Sequence, residues 1–191
     1  FFFQAEDGIR DLRCLVGSEM CIRDRSIYDA ICKRAGADNV TYIGDDETLI
    51  ADSYPAGTTA IVVVGEASGT HEPAWGTATL EFPAEQQNLL KKLDASGVNV
   101  VSVVLMNRAY VMTPVDAASD AVMIVYRPGV TAGAEAVAHA LFGDCAISGK
   151  LPWQIPATMD QVMLQREDLP KDIENPLYDY GFGIEVAAFG Q

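Results

Sequence analysis

The chain has 191 residues, 49% of them hydrophobic, and carries 27 acids against 13 bases, a net charge of −14 at pH 7. That balance repels nucleic acid and anionic membranes and suits a neutral small molecule or glycan better than a phosphorylated ligand. No apolar run approaches the length of a membrane span, and the length suits one domain with a proper core.

Residues 1–25 contain Ile-Arg-Asp twice, at Ile9 and at Ile22, and alternate apolar and charged residues with no sustained period. They lack the basic start and longer apolar run of a secretory signal. They resemble the translated read-through of a sequencing adapter. They are therefore expected to be a non-native segment without stable packing, which leaves residues 26–191 as the domain. Cys14 and Cys21 fall in the segment set aside. Cys32 and Cys145 remain, and two cysteines make no disulfide framework.

Four segments then read as strands. Residues 40–43 form a short one. Residues 60–64, 98–106 and 121–126 are near-continuous apolar runs rich in Val and Ile, as expected of parallel strands buried on both faces. Residues 83–96 read as a helix, with Pro83 at the start, Glu85 early, Lys91 and Lys92 late, and Gly97 at the end. A short segment at 115–118 links two strands, and a helix follows at 131–142. This alternation predicts a three-layer α/β/α sandwich with a mostly parallel central sheet. After Pro152 the pattern weakens to loop with a few extended pieces, including residues 178–183.

In such sheets ligands bind beyond the carboxyl ends of the strands. Gly65-Glu66 ends one strand and opens a loop with His71, Glu72 and Trp75. Asn107-Arg108 ends the next, and Arg127-Pro128-Gly129 the third. Each side chain also has a plain role open to it. Glu66 can accept hydrogen bonds from the loop backbone, Glu72 can be solvated, and His71 can be a loop hydrogen-bonding residue. Trp75 either covers the sheet edge or offers its face to a sugar ring. Arg108 and Arg127 either meet ligand or pair with the rim acids. The two histidines, His71 and His139, are split between a loop and a helix, so no metal is expected. Gly65 and Gly69 have the wrong spacing for a dinucleotide fingerprint. Ser102 and Ser119 lie in and beside strands, not on a nucleophile elbow.

The segment Leu141-Phe142-Gly143-Asp144-Cys145-Ala146-Ile147-Ser148-Gly149-Lys150-Leu151-Pro152 reads as a helix stop, a loop and an extended exit. Gly143 sits where a left-handed residue ends a helix. A phosphate loop is excluded: five residues, not four, precede Gly149-Lys150, and Leu151 stands where Ser or Thr is needed. The segment resembles the "LFGD…SGKLP" stretch of the C-terminal α/β domain of glycoside hydrolase family 3. Other pieces follow in that family's order. Ala60-Ile61-Val62-Val63-Val64-Gly65-Glu66 resembles its "VVVVGE" strand, and His71-Glu72 the "HE" of its bacterial β-glucosidase branch. Pro83-Ala84-Glu85-Gln86-Gln87-Asn88-Leu89-Leu90 resembles its "P..Q..LI" helix start. Ala118-Ser119-Asp120-Ala121 resembles "ASDA", Pro128-Gly129 the "W.PG" turn, and Tyr180-Gly181-Phe182-Gly183 the closing "FGYGL".

The resemblance implies a retaining, exo-acting β-glycosidase acting on a β-linked oligosaccharide or glucoside, with no cofactor. The nucleophile would lie in a preceding barrel domain of the same enzyme, and Glu72 would be the acid/base. Glu66, His71, Trp75, Arg108 and Arg127 would be substrate-binding candidates. The other class in view is a non-catalytic sandwich that binds glycan or stabilises a partner domain. The resemblance further implies that the barrel and the domain's first strand are missing, so the sheet is expected to be truncated at its N-terminal edge. A periplasmic or secreted parent is favoured. The chain departs from the family at Met106-Asn107-Arg108-Ala109, which keeps only the arginine of "SGRP". It departs again at Tyr126, where the family has tryptophan, and at residues 128–133, which lose the glutamate of "PG.EGG".

Overall fold

The computed structural model describes residues 2–5 (backbone only), 26–43, 50–65, 79–106, 108–126, 132–166, 168–169 and 171–189. Among these described residues, five strands form one sheet: β1 (Phe2–Ala5), β2 (Thr41–Tyr42), β3 (Thr59–Gly65), β4 (Asn99–Leu105) and β5 (Ala121–Val125), in the order β2-β1-β3-β4-β5. Each of their pairings is parallel. The α-helices described with them are α1 (Ile27–Ala35), α2 (Ala84–Ala95), α3 (Thr113–Ala117), α4 (Ala132–Leu141) and α5 (Met159–Leu164).

Period-two alternation in β3 and β4 divides the core into two layers. Val62, Val64, Val100 and Val104 pack with Leu89, Leu90 and Leu93 of α2 and Val115 of α3 on one face. Ile61, Val63, Val103 and Leu105 pack with Ile27 and Ile31 of α1 and with Ala134, Val137 and Ala138 of α4 on the other. Burial on both faces explains why these strands read as unbroken apolar runs, and it establishes the three-layer sandwich.

The predicted helix at 83–96 is α2, with Pro83 at its cap, Glu85 in the first turn and Lys92 in the last. The helix at 131–142 is α4. Gly143 follows it with a φ of +70°. The amide of Gly143 donates to Ala140 O and that of Asp144 to His139 O, the paired bonds of a Schellman stop.

Three elements go beyond the sequence reading. Helix α1 starts with a capping box in which Asp29 N donates to Ser26 Oγ and Ser26 N donates to Asp29 Oδ2. Helix α5 lies in the stretch after Pro152 that reads as loop. Its six residues bury no side chain, so they carry no periodic signal. The third is β1. Residues 1–25 were expected to lack stable packing; of them, Phe2–Ala5 pair with Thr41–Tyr42 on one side and with Ala60–Val63 on the other. The missing period across residues 6–25 does not bear on a four-residue strand, which needs only backbone pairing and a short apolar run.

Beyond α4 the chain crosses the sheet edge and pairs with its own end. Ile147 bridges Val186, Leu151 N donates to Phe182 O, and Ile155 bridges Tyr178, all in one antiparallel register. The "SGKLP" and "YGFG" segments thus form one ribbon.

Candidate functional site

Gly65, Leu105 and Val125 stand in register as the last residues of β3, β4 and β5. Three chain exits therefore leave one edge of the sheet. The order β2-β1-β3 reverses direction between β1 and β3, and a topological switch at the carboxyl ends of strands is where open α/β sheets hold ligands. Gly65 sits beside that switch.

Gly65 has φ +152°, and a Cβ there would lie 2.0 Å from the carbonyl oxygen of Leu105. Only glycine can end β3 this close to β4. The Gly65 backbone is gripped by Gln86, in the first turn of α2. Gly65 N donates to Gln86 Oε1 at 3.0 Å, and Gln86 Nε2 donates to Gly65 O at 2.9 Å. Gln86 is 1% exposed, so this amide pair sits inside the core.

The segment that follows Gly65 returns to a fixed point. Val111 N donates to Leu80 O at 2.9 Å, Leu80 N donates to Met159 Sδ at 3.3 Å, and Glu81 bridges Val111. The described chain on both sides of residues 66–78 is therefore anchored. Met106 N donates to Val125 O at 3.2 Å, tying the second exit to the third. Tyr126 closes β5 with its ring edge-on to Trp153, centroids 5.4 Å apart. Burial pushes the Tyr126 phenol above its usual pKa.

Arg108, three residues past the end of β4, is half-buried and already engaged. Glu66, His71, Glu72, Trp75 and Arg127 lie outside the described residues. Gln86 is the position that sequence reasoning passed over. Its signal was present: Gln86, Leu89, Leu90 and Leu93 follow i, i+3, i+4, i+7 spacing, so a polar residue stands on the buried stripe.

The remaining polar features are structural. Ser119 Oγ donates to Val115 O at 2.7 Å, which leaves the Ser102 hydroxyl to donate to Ser119 at 2.7 Å. Lys150 Nζ donates to Gly183 O at 2.6 Å and pairs with Glu185, so the lysine of the "SGK" segment holds the ribbon together. Asp144 accepts both Nε and Nη2 of Arg34 at 2.7 Å and meets His139 Nδ1 at 2.9 Å, joining the carboxyl ends of α1 and α4. Arg34 also lines an open groove of about 540 Å³ with Asn39, Thr58 and Phe142. Thr58 precedes β3, so this groove lies at the opposite end of the strands from the rim. Cys32 and Cys145 are free thiols. Among the described residues no cluster of His, Cys, Asp or Glu could hold a metal, and no helix is long and apolar enough to cross a membrane.

Residues 15–186 match the model of the glycosyl hydrolase family 3 C-terminal domain. Beta-glucosidase C of Emericella nidulans is 35% identical over 118 residues, 62% of this chain and 18% of that protein. The periplasmic beta-glucosidase of Salmonella typhimurium is 29% identical over 147 residues, 68% of this chain and 19% of that protein. The chain thus spans about a fifth of the length of these curated relatives. The crystal structure of a beta-glucosidase from Listeria innocua superposes with a TM-score of 0.68 at 17% identity, covering 96% of this chain and 29% of that one. An exo-1,3/1,4-beta-glucanase from a Pseudoalteromonas species gives a TM-score of 0.68 at 21% identity, covering 96% of this chain and 25% of that one. With the doubly wound sheet and the ordered motifs, the match over nearly the whole chain places this protein in the glycosyl hydrolase family 3 C-terminal domain family.

Proposed function

We propose that this chain is the C-terminal domain of a retaining, exo-acting β-glycosidase that hydrolyses β-glucosides, and that it contributes Glu72 as the acid/base. A retaining mechanism needs two carboxyl groups about 5–5.5 Å apart, one attacking the anomeric carbon and the other protonating the leaving oxygen. Two domains meeting at a cleft can supply one each. The nucleophile then belongs to a barrel domain of the same polypeptide, and Glu66, His71, Trp75, Arg108 and Arg127 line the sugar site. The observation that carries this reading is the common edge reached by Gly65, Leu105 and Val125, immediately before three of the candidate segments. The beta-glucosidase relatives and the Listeria innocua enzyme solved in complex with glucose support the substrate class. Residues 26–191 are proposed as the native domain.

A domain-stabilising, non-catalytic role is the second reading. It draws on the exposed Ile184 and Phe189, 72% and 78% accessible, which suit a face covered by another domain. One experiment separates the two: an aryl β-glucoside assay on the full-length enzyme with and without Glu72→Gln. Loss of the acid is expected to lower kcat by about 10²–10⁴-fold. Unchanged turnover would remove Glu72 from the chemistry and favour the second reading.

A further inference from the structure

We infer that the groove at the amino ends of the strands, lined by Arg34, Asn39, Thr58 and Phe142, is a second, non-catalytic binding site that takes a neutral oligosaccharide. The inference goes beyond the proposed reaction and does not depend on Glu72. Family membership supplies only the choice of probe.

The groove has two walls, and each is held by its own bonds. One wall is the turn Pro55–Thr58, closed by Thr58 N donating to Pro55 O at 3.1 Å, with Gly57 at φ +83°. A positive φ at the third position of a turn suits glycine, so this wall carries no side chain there. The other wall is formed where α1 and α4 end, at Arg34, Ala35 and Phe142. Asp144 joins the two helices by accepting from Arg34 Nε and Nη2, and the guanidinium lies 5.2 Å from the centroid of the Phe142 ring. Asn39 is set in turn by Nδ2 donating to Ala35 O at 2.9 Å. Walls fixed before a ligand arrives spare it the cost of ordering them.

The chemistry of the lining selects the ligand. The Thr58 hydroxyl has no side-chain hydrogen bond among the described residues. Asp144 takes two of the Arg34 N–H donors and leaves the rest to meet oxygen atoms of a ligand. Ala35, Ala56 and Gly57 add small apolar surface between these polar groups. A pyranose ring presents the matching pattern, C–H faces edged by hydroxyls. Charge argues against the alternatives. Arg34 is the ionisable group among these lining residues, and Asp144 already pairs with it at 2.7 Å. An anion would have to compete with that carboxylate on a chain of net charge −14, and a cation would find no acid in the lining. The volume of about 540 Å³ suits a small-molecule site, and the open side admits a chain that continues past the groove. The steps from Thr58 to Gly65, at about 3.3 Å each, set the groove about 20 Å from the rim, so a sugar held here is held away from cleavage.

Amide NMR of the 191-residue chain, titrated with cellobiose and with laminaribiose, tests the site. Saturable shifts are expected at Arg34, Asn39, Gly57 and Thr58. Thr58→Val removes the hydroxyl, keeps the shape and leaves the Arg34–Asp144 pair intact. Arg34→Lys keeps a charge opposite Asp144 and removes the guanidinium donors. Each variant is expected to weaken binding by about fivefold to tenfold through the lost hydrogen bonds. The Val63 and Val103 amides, unshifted between variants, are the folding control, and Thr58→Val decides if Arg34→Lys disturbs them. Glucose 6-phosphate is expected to bind no more tightly than cellobiose.

The inference is overturned by non-saturating shifts, by saturable shifts confined to amides near Gly65 and Leu105, or by an affinity that Thr58→Val leaves unchanged. Tighter binding of glucose 6-phosphate would make the groove an anion site and overturn it as well. Turnover by the full-length enzyme carrying Glu72→Gln bears only on the proposed reaction, so the two readings fail separately.

Discussion

A Cβ placed on Gly183 would stand 2.3 Å from the carbonyl oxygen of Gly149. The two segments of the ribbon therefore touch backbone to backbone, and Lys150 closes the same place by donating to Gly183 O. The contact is one-sided, because a Cβ on Gly149 would meet nothing within 4 Å. Gly183→Ala is expected to cost about 1–3 kcal/mol of stability through overpacking. Gly149→Ala should stay within about 0.5 kcal/mol of wild type. Urea unfolding of both variants checks the asymmetry.

Gly65→Ala should be more damaging. The new methyl would meet the Leu105 carbonyl at 2.0 Å, and φ +152° is a conformation that L side chains rarely adopt. Strain and overpacking together predict a loss of about 3 kcal/mol or more. Thermal unfolding is the readout, and a variant with wild-type stability would contradict the close approach of β3 and β4.

Acid should weaken the link between α1 and α4. The hydrogen bonds from Arg34 and from His139 hold the Asp144 carboxyl well below the usual carboxylate range. A group whose pKa is depressed by folding stabilises above its unfolded value, near pH 4, and loses that contribution as pH falls through its folded value. Asp144→Asn should therefore lower stability at pH 7 and flatten the decline below about pH 4. Urea midpoints between pH 7 and pH 3 report both effects.

Base should act on Tyr178. Burial first, then its hydrogen bond and charge interaction with Asp116, push this phenol above its ordinary pKa of 10.0. Tyr178 OH donates to Asp116 Oδ1, and only the neutral phenol can do so. The unfolded chain loses this proton at a lower pH than the native one, so stability falls as pH rises above about 10. In Tyr178→Phe that alkaline decline should be shallower, with lower stability at neutral pH from the lost hydrogen bond. Guanidinium titrations from pH 8 to pH 11 would show the difference in slope.

The 191-residue chain alone is expected to show no turnover of an aryl β-glucoside, whereas the full-length enzyme does. Glu72 can donate a proton, but the proposed division of labour leaves the nucleophile on another domain. Steady turnover by the isolated chain, abolished by Glu72→Gln, would place a complete site here instead.

Much of the fold was readable one element at a time. The runs at 60–64, 98–106 and 121–126 became β3, β4 and β5, and the segments at 83–96 and 131–142 became α2 and α4. All but β5 are long enough to show their period or to bury both faces; β5, at the end of the strand order, was expected to be buried on both faces and is only half-buried. Elements without such a signal escaped. Strand β1 has four residues, and α5 has six with none buried. Helix α1 has nine residues, and its signal was the capping box Ser26–Asp29 rather than a long stripe. The rim was legible only as three strand ends. Their common edge required the pairing of Gly65 with Leu105 and of Leu105 with Val125.

The sequence by itself determined the layered α/β class, the helix stop at Gly143 and the family, because local periodicity, turn chemistry and ordered motifs are written within a few residues. The tertiary structure decided the rest. It set Phe2–Ala5 between β2 and β3, brought Gly183 against Gly149, and turned Gln86 from one polar residue on an apolar stripe into the grip on Gly65. These contacts join segments far apart along the chain. Which backbone groups are left unpaired at a strand end, and which side chain reaches them, is settled only once the sheet and the helix layer have packed.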